Sequence, residues 1–320
     1  MKVLITGGLG FIGGRVAAHL SGAGHQIILG SRRACEPPFW LPKSDVVAIN
    51  WGENDSLQDC CNSVDIVIHA AGMNSGDSAL NPVGALAFNG VETARLVRAA
   101  TMAGVKQFIY LSTAHVYANP LLGVLTEETP PTNLHPYATS HLAGEQVVLA
   151  ATQDGKMSGV VLRISNAFGA PMDGDVNCWM LLANDLCRQA VQTRKLTLHT
   201  NGLQERDFIG MNTLCKAVES ILMLSARGAE LESNVFNIGT GISRTVFEMA
   251  KLIQQRCFKV LGFWPDLEVP EEFTNNNNSK LHFRVDRLVN LNVSFNEQEN
   301  IAEIDRLLNF CQLNFYPSKA

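Results

Sequence analysis

The sequence predicts an α/β fold: a doubly wound parallel sheet with a smaller C-terminal α/β domain. Three observations carry this. Near-continuous apolar runs of strand length alternate with helix-length segments through the first half of the chain, as in parallel strands buried on both faces. The first apolar run passes directly into a glycine-rich loop and then a helical pattern. The length, 320 residues, allows about two domains at ~150 residues each.

The elements follow in order. Lys2–Thr6 is a strand run, and Phe11–Ala23 has helical spacing with Phe11, Ile12, Val16 and Leu20 on one side. Gln26–Leu29 and Val46–Asn50 are further strands, with a short helix expected over Ser56–Asn62. Asp65–His69 is a fourth strand, closed by Ala70-Ala71-Gly72. Val83–Ala103 reads as one long helix ended by Gly104. Gln107–Ser112 and Gly159–Ile164 are strands flanking a helix over Tyr137–Ala151. The second half is less regular. Helices are expected over Trp179–Val191, Thr213–Leu224, Ser243–Gln255 and Ile301–Cys311, and strands over Lys195–His199 and Asn234–Ile238. Asn275–Asn278 reads as a solvent loop. The halves divide near residue 167, with 205–250 partly returning to the first.

Composition narrows the class. Apolar residues make up 46%, which excludes disorder as the main state. The net charge of −5 argues against a nucleic-acid partner. No apolar run approaches the ~18 residues of a membrane span, and no targeting segment is expected. None of the eight cysteines forms a Cys-x-x-Cys pair, so a reducing, cytoplasmic setting is expected and no metal site is argued.

The loop Thr6-Gly7-Gly8-Leu9-Gly10-Phe11-Ile12-Gly13 places glycines at 7, 10 and 13. Gly7 suits a tight turn, Gly10 a close approach of pyrophosphate, and Gly13 close helix–strand packing. The helix N-terminus then faces the phosphates. This is the pattern of a Rossmann-type dinucleotide site. NAD sites usually carry an acid ~20 residues on. Here the second strand ends Gly30-Ser31-Arg32-Arg33, whose guanidinium suits a 2′-phosphate. NADP is expected, with NAD the alternative.

Further segments make the pattern specific: Ser112-Thr113-Ala114-His115-Val116-Tyr117, Pro136-Tyr137-Ala138-Thr139-Ser140-His141 and Leu162–Gly169. Asn89–Ala94, Gln204–Ile209 and Phe236–Gly241 extend it. Together they resemble the extended short-chain dehydrogenase/reductases, the nucleotide-sugar epimerases, dehydratases and reductases typified by UDP-galactose 4-epimerase. The resemblance covers roughly residues 1–255.

The resemblance implies a catalytic Thr113 and Tyr137, and a group four residues after the tyrosine. In the family that group is a lysine, whose cation favours phenolate and whose nitrogen bonds the nicotinamide ribose. Here it is His141, on the same helix face as Tyr137. His141 either replaces the lysine in an active enzyme, or another group supplies the charge, or the fold binds a dinucleotide without turnover. Implied cofactor contacts are Gly7, Gly10, Phe11, Ile12 and Gly13, then Ser31 and Arg32, then Asn50 and Trp51. Ala70, Ala71, Gly72 and Asn89 follow, together with Tyr137 and His141. Implied substrate contacts are Thr113, Asn166 and Arg206, the last toward a diphosphate, unless Arg206 pairs with Glu205, Asp207 or another acid. Arg284 and Arg287 are candidates for a second phosphate-binding arginine.

The family's 4,6-dehydratases carry Asp-Glu after the Thr. Ala114-His115 stands here, which leaves epimerisation or keto-sugar reduction. His69, His115 and His135 are each read as structural. Family members often pair through two helices, here Val83–Ala103 and Tyr137–Ala151, so a homodimer is expected.

Overall fold

The structure, a computed structural model, describes residues 1–226, 233–270 and 280–316. The four-asparagine run at 275–278 lies outside them. β1 (Lys2–Thr6) leads through the glycine loop into α1 (Phe11–Gly22), followed by β2 (Gln26–Ser31), β3 (Asp45–Ala48), α2 (Asn54–Cys61) and β4 (Ile66–His69). Then come α3 (Ser75–Leu80), α4 (Pro82–Ala85), a π-helical segment Leu86–Glu92, α5 (Thr93–Met102) and β5 (Gln107–Thr113). A 3-10 turn at Ala114–Val116 and β6 (Gly123–Leu125) precede α6 (Pro136–Gln153), β7 (Ser158–Ile164) and β8 (Asn166–Phe168). The remainder is α7 (Leu182–Thr193), β9 (Lys195–Thr197), β10 (Glu205–Gly210), α8 (Met211–Ala226), β11 (Val235–Ile238), β12 (Ser243–Thr245) and α9 (Val246–Leu261). It ends with β13 (Asp266–Glu268), β14 (Leu281–Phe283), α10 (Asp286–Asn290) and α11 (Glu297–Phe315).

Seven strands form one sheet in the order β11-β7-β5-β4-β1-β2-β3, and every pairing is parallel. The chain runs outward from β1 through β2 to β3, then crosses back to β4. The switch point therefore lies between β1 and β4, where ligands bind at the carboxyl ends of strands. Alternation along each strand divides the core. Val3, Ile5, Ile109 and Leu111 pack on one face, with Val16 and Leu20 of α1 and Leu214 and Val218 of α8. Leu4, Val67, Phe108 and Tyr110 pack on the other, with Leu57 of α2, Leu96 of α5 and Val148 of α6. A second core lies among α7, α9 and α11. Arg15 of α1 reaches it, pairing with buried Glu303 of α11 at 2.6 Å.

Several expected elements differ in detail, the last helix among them, which runs Glu297–Phe315 rather than Ile301–Cys311. The long helix expected over Val83–Ala103 is a composite, because the backbone widens into a π turn around Asn89 and Gly90. Close packing accompanies this: a Cβ on Gly90 would lie 3.3 Å from the Ala143 Cβ of α6. Gly104, at φ +74°, ends the run as expected. The helix expected from Ser243 begins at Val246. Thr245 and Glu248 form a reciprocal N-cap, and Ser243–Thr245 instead pair with β10. The helix expected from Trp179 begins at Leu182, and the Trp179 ring stacks on Phe310 and meets Phe315 edge-to-face.

Candidate active site

The glycine loop sits at the switch point. Gly7 holds φ +66°, and a Cβ there would come within 2.9 Å of the Ala71 nitrogen, so the turn lies directly on the end of β4. A Cβ on Gly13 would lie 2.3 Å from the Gly7 carbonyl oxygen, so only glycine lets α1 pack this close. A Cβ on Gly10 meets only the Gly7 carbonyl oxygen, at 3.1 Å. Gly10 is the N-cap of α1, no side chain caps it, and no acid lies in the first turn. The first N–H groups of α1, at Phe11 and Ile12, therefore stand open to an anion. Ala70 and Ala71 are tied back to Thr6 by backbone N–H bonds of 3.2 and 3.3 Å.

The expected contacts beyond the loop divide into open and engaged groups. Arg32 is exposed, and no carboxylate among the described residues pairs with it. The Ser31 hydroxyl accepts the Arg33 N–H at 3.2 Å. The Asn50 side chain accepts from Gly52 N–H at 3.2 Å. Trp51 packs edge-on against Phe88 and tilted against His69. Asn89 accepts from Met73 N–H at 2.8 Å and donates to Ser140 Oγ at 3.0 Å, bracing the loop after β4 against α6.

Thr113, Tyr137 and His141 meet at the end of β5. His135 caps α6, its Nδ1 accepting the Tyr137 N–H at 3.2 Å, and Pro136 fills the first turn. This places Tyr137 beside Thr113, whose hydroxyl oxygen accepts the His115 N–H at 3.1 Å. Burial raises Tyr137 above the ordinary tyrosine value, and the nearby Thr113 hydroxyl opposes this. One turn on, the His141 ring meets Tyr137 edge-to-face at 4.6 Å. His141 is 6% exposed, and burial lowers its pKa to about 4, so the imidazole is neutral. Gly72 lies against it: a Cβ there would be 3.8 Å from His141 Nε2.

On the substrate side, Asn166 donates to the Asp207 carbonyl at 3.0 Å. Arg206 is half-buried and, among the described residues, bonds only the Gln204 side chain, at 3.0 Å. Its expected acidic neighbours are otherwise engaged. Asp207 accepts from Ser165, Thr240 and Gly241, and Glu205 accepts from Leu281 N–H. Among the described residues Arg206 has no carboxylate partner. Burial of the cation lowers its pKa, and His115 is pushed down to about 4 by its own burial first and then by the Arg206 charge. Arg284 and Arg287 are not free: they pair with Asp286 and Glu128.

Two supporting groups, Tyr110 and Glu145, escaped sequence reasoning. Tyr110 Oη lies 2.9 Å from His141 Nδ1. His69, lowered to about 3 by burial, bridges Thr6 and Thr93 and is structural as expected. Glu145 pairs with Arg163 at 2.7 Å and accepts from Ser112, all three buried. Glu145 follows His141 by one further helical turn, so spacing could have found it.

A parallel sheet with a glycine cradle at its switch point, and a Thr–Tyr–His cluster at the end of β5, defines a dinucleotide-binding α/β protein. Residues 3–239 match the NAD dependent epimerase/dehydratase family. The chain belongs to that family, within the extended short-chain dehydrogenase/reductases. It is similar to dTDP-6-deoxy-L-talose 4-dehydrogenase (NAD(P)(+)) of Kitasatospora kifunensis, 32% identical over 257 residues, 79% of this chain and 78% of that one. It is 28% identical to UDP-glucose 4-epimerase of Bacillus subtilis (strain 168), over 86% of this chain and 85% of that one. The fold matches Thermus thermophilus UDP-glucose 4-epimerase, solved as a complex with NAD, at a TM-score of 0.76 and 21% identity, covering 96% of this chain and 99% of that one. No helix among the described residues is long and apolar enough to cross a membrane.

Proposed function

We propose that this chain is an NAD(P)-dependent epimerase or keto-reductase of a nucleotide-sugar-like substrate. The observation that carries this is the convergence of Thr113, Tyr137 and His141 beside the glycine cradle. The residues fit the dinucleotide. Gly7, Gly10 and Gly13 leave space that a Cβ would fill, the α1 N-terminus is uncapped, and His141 Nε2 faces Gly72. When bound, the nicotinamide ring supplies the site that takes or gives a hydride.

The protein's own part is proton exchange and positioning. Thr113 and Tyr137 hold the reacting substrate oxygen, Tyr137 passes its proton to or from it, and His141 bonds the ribose. Asn166 and Arg206 bind the nucleotide portion, Arg206 toward a diphosphate. Unpaired Arg32 supports NADP, with NAD the alternative. Relatives named as a dehydrogenase and as an epimerase support both reaction types. Residues 1–166, with 205–250 partly returning, form the cofactor domain, and 167–320 the substrate domain. The protein works in the cytoplasm as a homodimer.

One observation favours a second reading, a dinucleotide-binding sensor or partner-binding protein without turnover: the neutral His141 supplies no cation to favour phenolate. Melting temperatures with NADPH and NADH, then turnover of nucleotide sugars, test both readings. The enzyme reading expects a cofactor-dependent rise. It also expects Tyr137→Phe to keep that rise while losing ~10²–10⁴-fold in turnover. A substrate that Tyr137→Phe turns over normally would refute the mechanism. A cofactor-dependent rise with no turnover across nucleotide sugars leaves the sensor.

A further inference from the structure

Thr113 closes β5 and Tyr137 lies in the first turn of α6, so their mutual placement depends on how the segment 114–136 returns. It returns along the turn it left by. Thr132 N–H donates to the Tyr117 carbonyl at 3.0 Å, and Asn133 N–H to the Val116 carbonyl at 3.3 Å. The Asn133 side chain then uses both ends of its amide. Its Nδ2 donates to the His115 carbonyl at 2.7 Å, and its Oδ1 accepts the His135 N–H at 3.0 Å. On one side of this amide, the His115 N–H donates to Thr113 Oγ1 at 3.1 Å. On the other, His135 Nδ1 accepts the Tyr137 N–H at 3.2 Å. One row of hydrogen bonds therefore runs from the Thr113 hydroxyl through His115, Asn133 and His135 to the Tyr137 backbone.

Every bond in this row has a direction that its backbone partner fixes. A backbone N–H only donates and a carbonyl oxygen only accepts. The His115 carbonyl and the His135 N–H thus set which end of the Asn133 amide faces which. The Tyr137 N–H requires a bare lone pair on His135 Nδ1, so the ring proton of the capping form sits on Nε2. Three prolines stiffen the same segment by holding φ near −65°. Pro130 and Pro131 come just before Thr132, and Pro136 stands between the cap and Tyr137. Glu145 ties α6 to the sheet only two turns further on, through Arg163 and Ser112. The turn that carries Tyr137 has the Asn133–His135 strap as its own tether.

We propose that Asn133 and His135 are positioning residues for the Thr113–Tyr137 pair, the Asn133 amide joining the turn after β5 to the N-terminus of α6. Neither residue acts on the reacting atoms. Asn133 holds His115, whose N–H orients the Thr113 hydroxyl. His135 holds the first turn of α6 and with it Tyr137. A substrate oxygen between the two hydroxyls is met in the right geometry only while both ends of the row hold. The catalytic consequence rests on the function proposed above, and the positioning itself does not.

Asn133 and His135 are half-buried, so alanine at either leaves no cavity in the core. The chain has four tyrosines, so carbon-13 labelling of tyrosine gives a short spectrum, with Tyr137 assigned from the signal lost in Tyr137→Phe. In cofactor-free protein, Asn133→Ala and His135→Ala are each expected to shift the Tyr137 ring Cζ signal. His135→Asn, which offers a capping oxygen in place of Nδ1, is expected to restore it. An unmoved Tyr137 signal in both folded alanine variants overturns the proposal, whether or not the protein turns anything over. Turnover is then measured on whichever of a panel of UDP- and dTDP-sugars the parent converts. Both alanine variants are expected to lose ~10–10²-fold in kcat with KM nearly unchanged, and His135→Asn to recover most of it. Because both side chains act on one row, the double variant is expected to lose about as much as the worse single variant. His135→Ala is expected to cost little more in a Tyr137→Phe background. Losses that multiply in the double variant, or a His135→Ala loss that persists in full beside Tyr137→Phe, show a merely structural role and overturn the proposal. A shifted Tyr137 signal with unchanged kcat overturns its catalytic half. A parent whose melting temperature rises with NADPH or NADH but which converts none of the sugars overturns the enzyme reading instead, and the tyrosine spectra still decide the positioning.

Discussion

Lowering the pH from about 7 to about 5 is expected to remove about 4 kcal/mol of folding stability through His69 and His141. In the folded protein burial lowers His69 to about 3 and His141 to about 4, from an ordinary value of 6.5. Below about 6.5 the unfolded chain takes up a proton at each residue while the folded protein takes up none. The unfolded state then binds more protons, so stability falls as pH falls, by about 1.4 kcal/mol per unit per residue. About 1.5 units and two residues give the total, a large share of a typical ~5–15 kcal/mol. Half-buried His115, also lowered to about 4, adds in the same direction. Asp207 and Glu127, raised by burial, act with the opposite sign, because the folded protein holds their protons more tightly. The decisive measurement is therefore a difference: urea midpoints of parent and His141→Gln at both pH values. The variant is expected to lose about 2 kcal/mol less than the parent across that window. Equal losses in the two proteins would show that His141 is not held neutral by burial.

Other perturbations act on single contacts. Gly13→Ala drives a Cβ to 2.3 Å from the Gly7 carbonyl oxygen. It should cost ~1–3 kcal/mol in a urea melt and abolish the dinucleotide-induced rise in melting temperature. Glu145→Leu strands Arg163 in the core and should cost ~3–5 kcal/mol, whereas Glu145→Leu with Arg163→Leu should regain most of it, read from denaturation midpoints. Arg32→Ala should weaken NADP⁺ binding by ~10-fold or more while leaving NAD⁺ nearly unchanged in parallel titrations, since a charged hydrogen bond contributes ~1.5–3 kcal/mol.

The first half of the fold was legible because its strands are buried on both faces, which leaves unbroken apolar runs such as Val3-Leu4-Ile5 and Ile66-Val67-Ile68. The glycine loop was legible because sterics, rather than packing partners, dictate Gly7 and Gly13. What could not be read depends on contacts remote in sequence. The π turn at Asn89 follows from packing against α6, which begins at Pro136. The start of α9 was misplaced although Thr245 and Glu248 show the capping pattern, because Ser243–Thr245 extend to pair with β10. In the site, Tyr137 and His141 announce themselves by motif and spacing. Tyr110 sits mid-strand among apolar residues and looks like core until α6 is laid against it.

Helix α6 explains how a site with a neutral histidine keeps its geometry. Tyr137, His141 and Glu145 follow at successive turns on one face. Glu145 binds Arg163 of β7 and Ser112 of β5, so the helix is clamped to the sheet beyond the site. Arg163 lies over the Tyr117 ring, and the Tyr117 hydroxyl donates to Asn237 of β11 at 2.7 Å. The strongest buried charges near Tyr137 are thus neutralised within the fold. Gly144 lets this clamp close, since a Cβ there would lie 2.6 Å from Tyr110 Oη. Arg206 stands apart. It is a half-buried cation with a neutral side-chain partner and no carboxylate among the described residues. A buried charge left unpaired is costly unless something compensates it. In the proposed function that compensation comes from the substrate, because a neutral sugar cannot relieve the unpaired charge and a diphosphate can.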